Sequence, residues 1–234
     1  MIPTKNILIL SLAFIFFTII GTISHETGHI VVAESLGYNT SLHYGSMNYD
    51  NSELNNKLDS IYSKNKYQIE NNLPFEQRNN FEEGKERLES DSIKITLGGP
   101  LQTTITGLLG LVLLLKRKKR IKNRGLKIID WLGIFLALFW LREIFNLIHS
   151  LGFEIIYNQG NYFGGDERYI SEYFNLGSGA IPVILAITGI VISMYVVFRI
   201  IPEKFRLPFI ISGFVGGFTG FIIWFHILGP HLIP

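Results

Sequence analysis

The chain has 234 residues, of which 47% are hydrophobic and 17% are charged, and this charged share is below the roughly 25% that is usual for a soluble domain. With a mean hydropathy of +0.28, the composition predicts a polytopic membrane protein rather than a soluble enzyme with a single anchor. The net charge of +2 is too small to indicate a nucleic-acid partner, and the lack of cysteine excludes disulfides and thiolate metal ligands.

The first apolar stretch carries no charged residue from Ile7 to Ile23. We expect a retained transmembrane helix from about Asn6 to Leu36, because this length exceeds the roughly 20 residues that a bilayer requires. The surplus length leaves room for a polar motif at the second end of the helix.

That motif is His-Glu-x-x-His, with its histidines at His25 and His29. In a helix these residues lie one turn apart on the same face, roughly 5–6 Å apart at Cβ, so both imidazoles can bind one zinc ion. Glu26 lies about 100° round the helix from His25, where its carboxylate can reach a metal-bound water without being a ligand. Ionisable groups in or beside a bilayer are costly unless they are paired or metal-bound, which favours a functional site.

A polar region follows the first helix. The alternation and the aromatic residues of 41–49 predict one or two short strands. The residues from Asp50 to Ser92 are polar and charged, which predicts a solvated insertion outside the bilayer that contains helical stretches.

A second span is predicted from about Ile93 to Leu115, and it opens with Gly98, Gly99 and Pro100. Two interpretations of these three residues are open. They form an irregular backbone that lines a cavity, or they allow close packing between helices.

Three further spans are predicted at about 126–151, 181–201 and 208–228. Basic segments at 116–124 and 202–206 adjoin the ends of spans. The positive-inside rule therefore predicts both segments as cytoplasmic loops.

The loop at 152–179 contains the sequence Gly164-Gly165-Asp166-Glu167. Two glycines let the backbone approach a site closely, and a carboxylate directly after them can be aimed at a metal; the alternative is an acidic surface turn. With five spans and both basic loops inside, Asp166 lies on the same outer side as His25 and His29, close enough to share a metal.

Three features together resemble the site-2 protease family of intramembrane zinc metalloproteases. They are the motif at the end of the first apolar helix, the segment Gly98-Gly99-Pro100-Leu101-Gln102 that opens the second span, and the aspartate in a glycine turn after the third span. The resemblance covers about 6–179 and leaves the last two spans and the polar insertion unmatched.

The resemblance implies roles for specific residues. It implies that Glu26 activates water for peptide hydrolysis, and that zinc is bound by His25, His29 and Asp166, with Glu167 as the rival of Asp166. For contact with a membrane-spanning substrate, the residues implied are Gly99, Pro100, Gln102 and Asn146.

The sequence thus predicts an all-α polytopic membrane protein with about five transmembrane helices, a short β-hairpin and a polar insertion after the first helix. The predicted function is an intramembrane zinc metalloprotease that acts on a membrane-protein or membrane-peptide substrate in the lipid bilayer, with no nucleic acid. The predicted segments are the first helix, the strands with the insertion, the second and third spans with their loop, and the last two spans, at 1–36, 37–92, 93–179 and 180–234.

Alternatives differ in the third ligand or in the class of function. Soluble zinc proteases whose third ligand follows the second histidine along the chain point to Asp50 or Glu53. The alternative functions are a non-proteolytic membrane zinc-binding scaffold or regulator and a metal or proton transporter. A transporter is expected to show internal repeats, and no matching halves are evident, while intact Glu26 argues against an inactive protease.

Overall fold

A computed structural model describes residues 4–158, 160 and 162–234. Residues 1–3, where the first predicted segment begins, lie outside this described part. The described residues are mostly helical with one two-stranded antiparallel sheet, which confirms the coarse part of the predicted fold class, a helical architecture with a short β-hairpin. The described helices are α1 (Thr4–Ser35), α2 (Ser52–Glu70), α3 (Arg78–Arg124), α4 (Ile128–Ala137), α5 (Leu141–Tyr157), α6 (Gly165–Tyr173), α7 (Ala180–Tyr195), α8 (Glu203–Ile222) and α9 (Gly229–Leu232).

Four helical segments of the described chain are long and apolar enough to cross a membrane, rather than the predicted five. They are Lys5–Ser35, Arg78–Arg124, Ala180–Ile200 and Glu203–Leu232. The last two continue α7 and α8 through π-helical turns at Val196–Ile200 and Ile223–Leu228.

The predicted third span at 126–151 is not one continuous helix. It is divided into α4 and α5 by a 3-10 turn at Leu138–Trp140. The buried Trp140 packs against Gly107 of α3, and its carbonyl oxygen lies against Gly189 of α7, where an added Cβ would be only 2.6 Å away. Packing against two helices therefore shapes this segment, and hydropathy does not report such packing.

The second span is also longer than predicted, because α3 begins in the polar insertion and continues through the basic segment at 116–124. That segment is the end of a helix and not a loop. Arg117 Nε donates to Asp130 Oδ1 at 2.5 Å, and Arg120 Nη1 donates to Asp130 Oδ2 at 2.5 Å. Because Asp130 lies at the start of α4, these bonds hold the end of α3 against the next helix.

The Gly98-Gly99-Pro100 segment is helical, with Pro100 inside α3. Of the two open interpretations, the structure has close packing: a Cβ on Gly28 of α1 would lie 2.9 Å from the backbone carbon of Gly98, and one on Gly98 would lie 2.8 Å from that of Gly28. Such mutual glycine contacts let two backbones approach closely in a membrane. The histidine-bearing turn of α1 is thereby fixed against α3.

Helix α8 covers another side of α1. Ser212 Oγ donates to the Ile7 carbonyl at 3.0 Å, and a Cβ on Gly216 would lie 2.7 Å from the Cβ of Phe14. The Phe14 ring packs on Phe135 of α4 and Phe209 of α8, with centroids 5.1 and 5.0 Å away. This aromatic cluster forms the core between α1, α4 and α8.

The predicted hairpin is confirmed as β1 (Thr40–Leu42) and β2 (Met47–Tyr49), which pair antiparallel with Ser41 opposite Asn48. Its turn is tied to the C-terminal end of the chain. Trp224 Nε1 donates to the Tyr44 carbonyl at 2.6 Å, and the Tyr44 N–H donates to the Ile233 carbonyl at 2.9 Å.

Candidate metal centre

The two motif histidines lie one turn apart on α1, and both are buried. Each ring is held by α3 through Nδ1. His29 Nδ1 donates to the Ile95 carbonyl at 2.7 Å, and His25 Nδ1 is 2.9 Å from Thr103 Oγ1. A carbonyl can only accept, so the first bond places the proton of a neutral His29 ring on Nδ1 and leaves the Nε2 lone pair free.

Asp166 reaches the histidines from the first turn of α6. The turn before it requires glycine, because Gly165 has a φ of +76°, a conformation that other residues adopt at a cost. Asp166 Oδ2 lies 2.9 Å from His25 Nε2 and 3.2 Å from His29 Nε2. Burial by itself raises the pKa of the Asp166 carboxyl, but the hydrogen-bonding contacts with both histidines outweigh it and hold the pKa well below its usual range, so the group is ionised at neutral pH.

The three side chains form a triangle whose dimensions suit a metal ion. Its sides are 2.9, 3.2 and 3.2 Å, the last of these between the two Nε2 atoms. Tetrahedral ligands at a metal–nitrogen distance of about 2.0–2.1 Å are separated by about 3.3 Å. His25, His29 and Asp166 could therefore hold a metal ion, and they are the one such group of three among the described residues.

No family model, no curated protein and no solved structure matches this chain. A functional assignment therefore depends on the residues themselves and on their geometry.

Glu167, the rival ligand, turns away from the histidines. Its Oε1 accepts a hydrogen bond from Asn146 Nδ2 of α5 at 3.2 Å. It lies buried beside Glu143, and neither oxygen of Glu143 meets a donor among the described residues.

The other alternative ligands lie elsewhere. Asp50 is exposed and its Oδ1 accepts the Ser52 N–H at 3.0 Å. Glu53 is exposed in the first turn of α2. Neither residue belongs to the group around His25.

Glu26 is buried beside the triangle without being part of it. Arg142 at the start of α5 faces it, with Nη2 of the arginine 3.8 Å from Oε1 of the glutamate. In the sequence, Arg142 is a charged residue within the predicted span at 126–151, where it either marks the end of the span or pairs with a group across the bundle. The ion pair could not be assigned, since the two residues are far apart in sequence.

The four residues that are predicted to contact the substrate differ in where they lie relative to the triangle. Gly99 lies directly against the Nε2 edges of both imidazoles, and Pro100 is buried in α3. Gln102 Nε2 donates to Ser24 Oγ and, at 3.0 Å, to Thr106 Oγ1. The fourth residue, Asn146, lines a cavity beside the triangle.

This cavity has a volume of about 530 Å³ and lies between α1, α4, α5 and α8. Phenylalanines form much of its wall, and Phe218 of α8 is 71% exposed at its outer side. Thr103, which contacts His25, is 1% exposed and also lines the cavity. The cavity therefore extends from the apolar surface of α8 to Thr103 and Arg142, which contact His25 and face Glu26 respectively.

Proposed function

We propose that this protein is an intramembrane zinc metalloprotease that hydrolyses peptide bonds of membrane-associated substrates. The observation that carries the proposal is the triangle of His25, His29 and Asp166 with the Glu26 carboxylate beside it. A purely structural metal site has no use for a fourth, non-ligating carboxylate at this position.

The donor set favours zinc. Imidazole and carboxylate ligands without a thiolate, with three protein ligands and an open position, are typical of catalytic zinc. When bound, zinc would polarise a peptide carbonyl and lower the pKa of water to about 7.

Glu26 supplies the proton transfers. Its carboxylate accepts a proton as the water oxygen bonds to the carbonyl carbon, and it returns the proton to the leaving nitrogen as the carbon–nitrogen bond breaks. The α1–α3 packing keeps Glu26 and the histidines in fixed positions relative to each other. The phenylalanine-rich wall of the cavity suits an unwound apolar segment, which would approach the triangle past Asn146.

The orientation in the membrane is part of this proposal. The basic segments at 116–124 and 202–206 lie on the cytoplasmic side, and the candidate metal centre lies near the opposite face.

The test measures bound zinc by elemental analysis and cleavage of transmembrane peptides by the purified protein in detergent. Glu26→Gln is expected to retain zinc and to lose cleavage by about 10²–10⁴-fold, while Asp166→Ala loses zinc. Glu34→Gln is the matched control, because Glu34 is an exposed carboxylate on the same helix that bonds only Thr40 among the described residues.

Four outcomes contradict the proposal in different ways. If the folded wild-type protein contains no zinc, the proposed metal centre is wrong. If cleavage is unchanged in Glu26→Gln, the proposed role of Glu26 in the mechanism is wrong. Zinc binding without cleavage favours a scaffold, and zinc transport into proteoliposomes favours a transporter.

A further inference from the structure

Arg142 lies where the candidate metal centre meets the aromatic cavity. Its side chain is 27% exposed and lines the cavity together with Thr22, Thr103 and Asn146. It is the second residue of α5, and this helix begins directly after the 3-10 turn that carries Trp140. Because that turn is buried between α3 and α7, the backbone of Arg142 is firmly placed.

The guanidinium has hydrogen-bonding capacity that the described chain does not use. Its Nε is buried and meets no acceptor among the described residues, and its Nη2 lies 3.8 Å from Glu26 Oε1, too far for a hydrogen bond. The neighbouring Glu143 does not take up these donors, since both of its oxygens also lack a partner.

Leaving a buried donor without an acceptor is unfavourable, and more so when the group is charged. Such a group beside a catalytic carboxylate, and open to a cavity, suits an acceptor that arrives with the substrate. In a proteolytic site that acceptor is the carbonyl oxygen of the peptide, which becomes negative when water adds to the carbon.

We propose that Arg142 is a further catalytic residue, whose guanidinium donates hydrogen bonds to the scissile carbonyl oxygen and stabilises its negative charge. This role rests on the proposed proteolytic function. As the water oxygen bonds to carbon, the carbonyl electron pair moves onto the oxygen, and Arg142 binds that oxygen. The pair returns to re-form the carbonyl as the leaving nitrogen departs with the proton from Glu26. The competing role for Arg142 is to neutralise Glu26 from a distance.

The experiment compares Arg142→Gln, Arg142→Lys and the wild type in their zinc-loaded forms. Arg168→Gln is the matched control, because its guanidinium is 30% exposed, lies on the same helix as Asp166, and is already bonded to Glu172 at 2.7 Å. The measurements are bound zinc, kcat and KM for a cleaved transmembrane peptide, and equilibrium binding of a phosphinic peptide. The tetrahedral phosphinate carries a negative oxygen in place of the carbonyl oxygen, so its binding does not depend on turnover.

Arg142→Gln is expected to keep its zinc and to lose about 10²–10³-fold in kcat, as for loss of one oxyanion donor, while KM changes little. Affinity for the phosphinic peptide should fall by the same factor as kcat/KM, since both report binding of the tetrahedral state. Arg142→Lys keeps the charge but not the paired donors, so it should recover only part of the loss. Arg168→Gln should match the wild type in all measurements.

Several results would overturn this role. If Arg142→Gln lowers kcat while phosphinate affinity is unchanged, or if Arg142→Lys restores wild-type values in full, the residue acts through its charge alone. If Arg142→Gln fails to fold, Arg142→Lys decides the matter by the same comparison. A zinc-loaded wild type that neither cleaves peptides nor binds the phosphinate overturns the proteolytic function itself, and a wild type that cleaves while Arg142→Gln is unimpaired overturns only the role of Arg142.

Discussion

Substitution of Gly99 by alanine tests how α3 forms the candidate metal centre. Gly99 lies against the imidazole edges that face Asp166. An added Cβ would be 2.6 Å from His29 Cε1, whereas ordinary contacts begin at 3.4 Å, so these atoms must separate by 0.8 Å. Metal sites tolerate changes of about 0.2 Å in ligand distances, so this displacement would disturb the triangle.

The expected cost follows from overpacking. Forcing a methyl group into a well-packed site costs about 1–3 kcal/mol, and every 1.4 kcal/mol is about tenfold in affinity. If the strain is relieved by moving the imidazoles, Gly99→Ala should weaken zinc binding by about 5–150-fold.

Gly21→Ala is the matched control, because Gly21 lies on α1 one turn before His25 and nothing stands within 4 Å of its added Cβ. Both variants gain similar helix propensity, so their difference reports the contact with the imidazoles. Zinc affinity is measured by competition with a chelator, and folding by circular dichroism. Zinc affinity of Gly99→Ala within twofold of Gly21→Ala would refute the proposed packing.

Three other substitutions test separate contacts through thermal unfolding in detergent. Gly216→Val should lower the melting temperature, because the new side chain would push α8 away from the backbone of α1. Gly217→Val is the control and should not lower it, since nothing lies within 4 Å of a Cβ added there. Equal melting temperatures of the two variants would contradict the packing of α8 on α1. Glu143→Gln should preserve or raise the melting temperature, because the amide can donate a hydrogen bond to Glu167 where two buried carboxyl groups now interact. A clear fall in melting temperature would show that the carboxyl group of Glu143 is needed. Asp130→Asn should lower the free energy of unfolding by about 3 kcal/mol, as for a broken buried ion pair, because this fully buried carboxylate binds two arginines. An unchanged melting temperature in low salt would contradict a stabilising role for these ion pairs.

The features that the sequence predicts well arise from local patterns. The first helix follows from a charge-free run, and the facing positions of His25 and His29 follow from the 3.6-residue period of that helix. The hairpin follows from alternation between 41 and 49. Each pattern lies within one element, so neighbouring residues are sufficient to detect it.

The features that the sequence does not predict arise between elements. The break before Arg142 follows from Trp140 packing against Gly107 and Gly189. The helical course of 116–124 follows from ion pairs with Asp130 on the next helix. A hydropathy profile contains no information about such partners, so it reports one continuous span and a basic loop instead.

At the start of α6, tertiary contacts decide which of two neighbouring carboxylates faces the histidines. Asp166 and Glu167 are about 100° apart round their helix, so they cannot both face α1. Asp166 meets the histidines, whereas Glu167 accepts the Asn146 amide of α5. Asn146 therefore helps to fix the rotation of α6 and with it the direction of the metal-facing carboxylate, in addition to its predicted contact with the substrate. The candidate metal centre consequently depends on α5 through two residues, Asn146, which binds Glu167 next to Asp166, and Arg142, which faces Glu26.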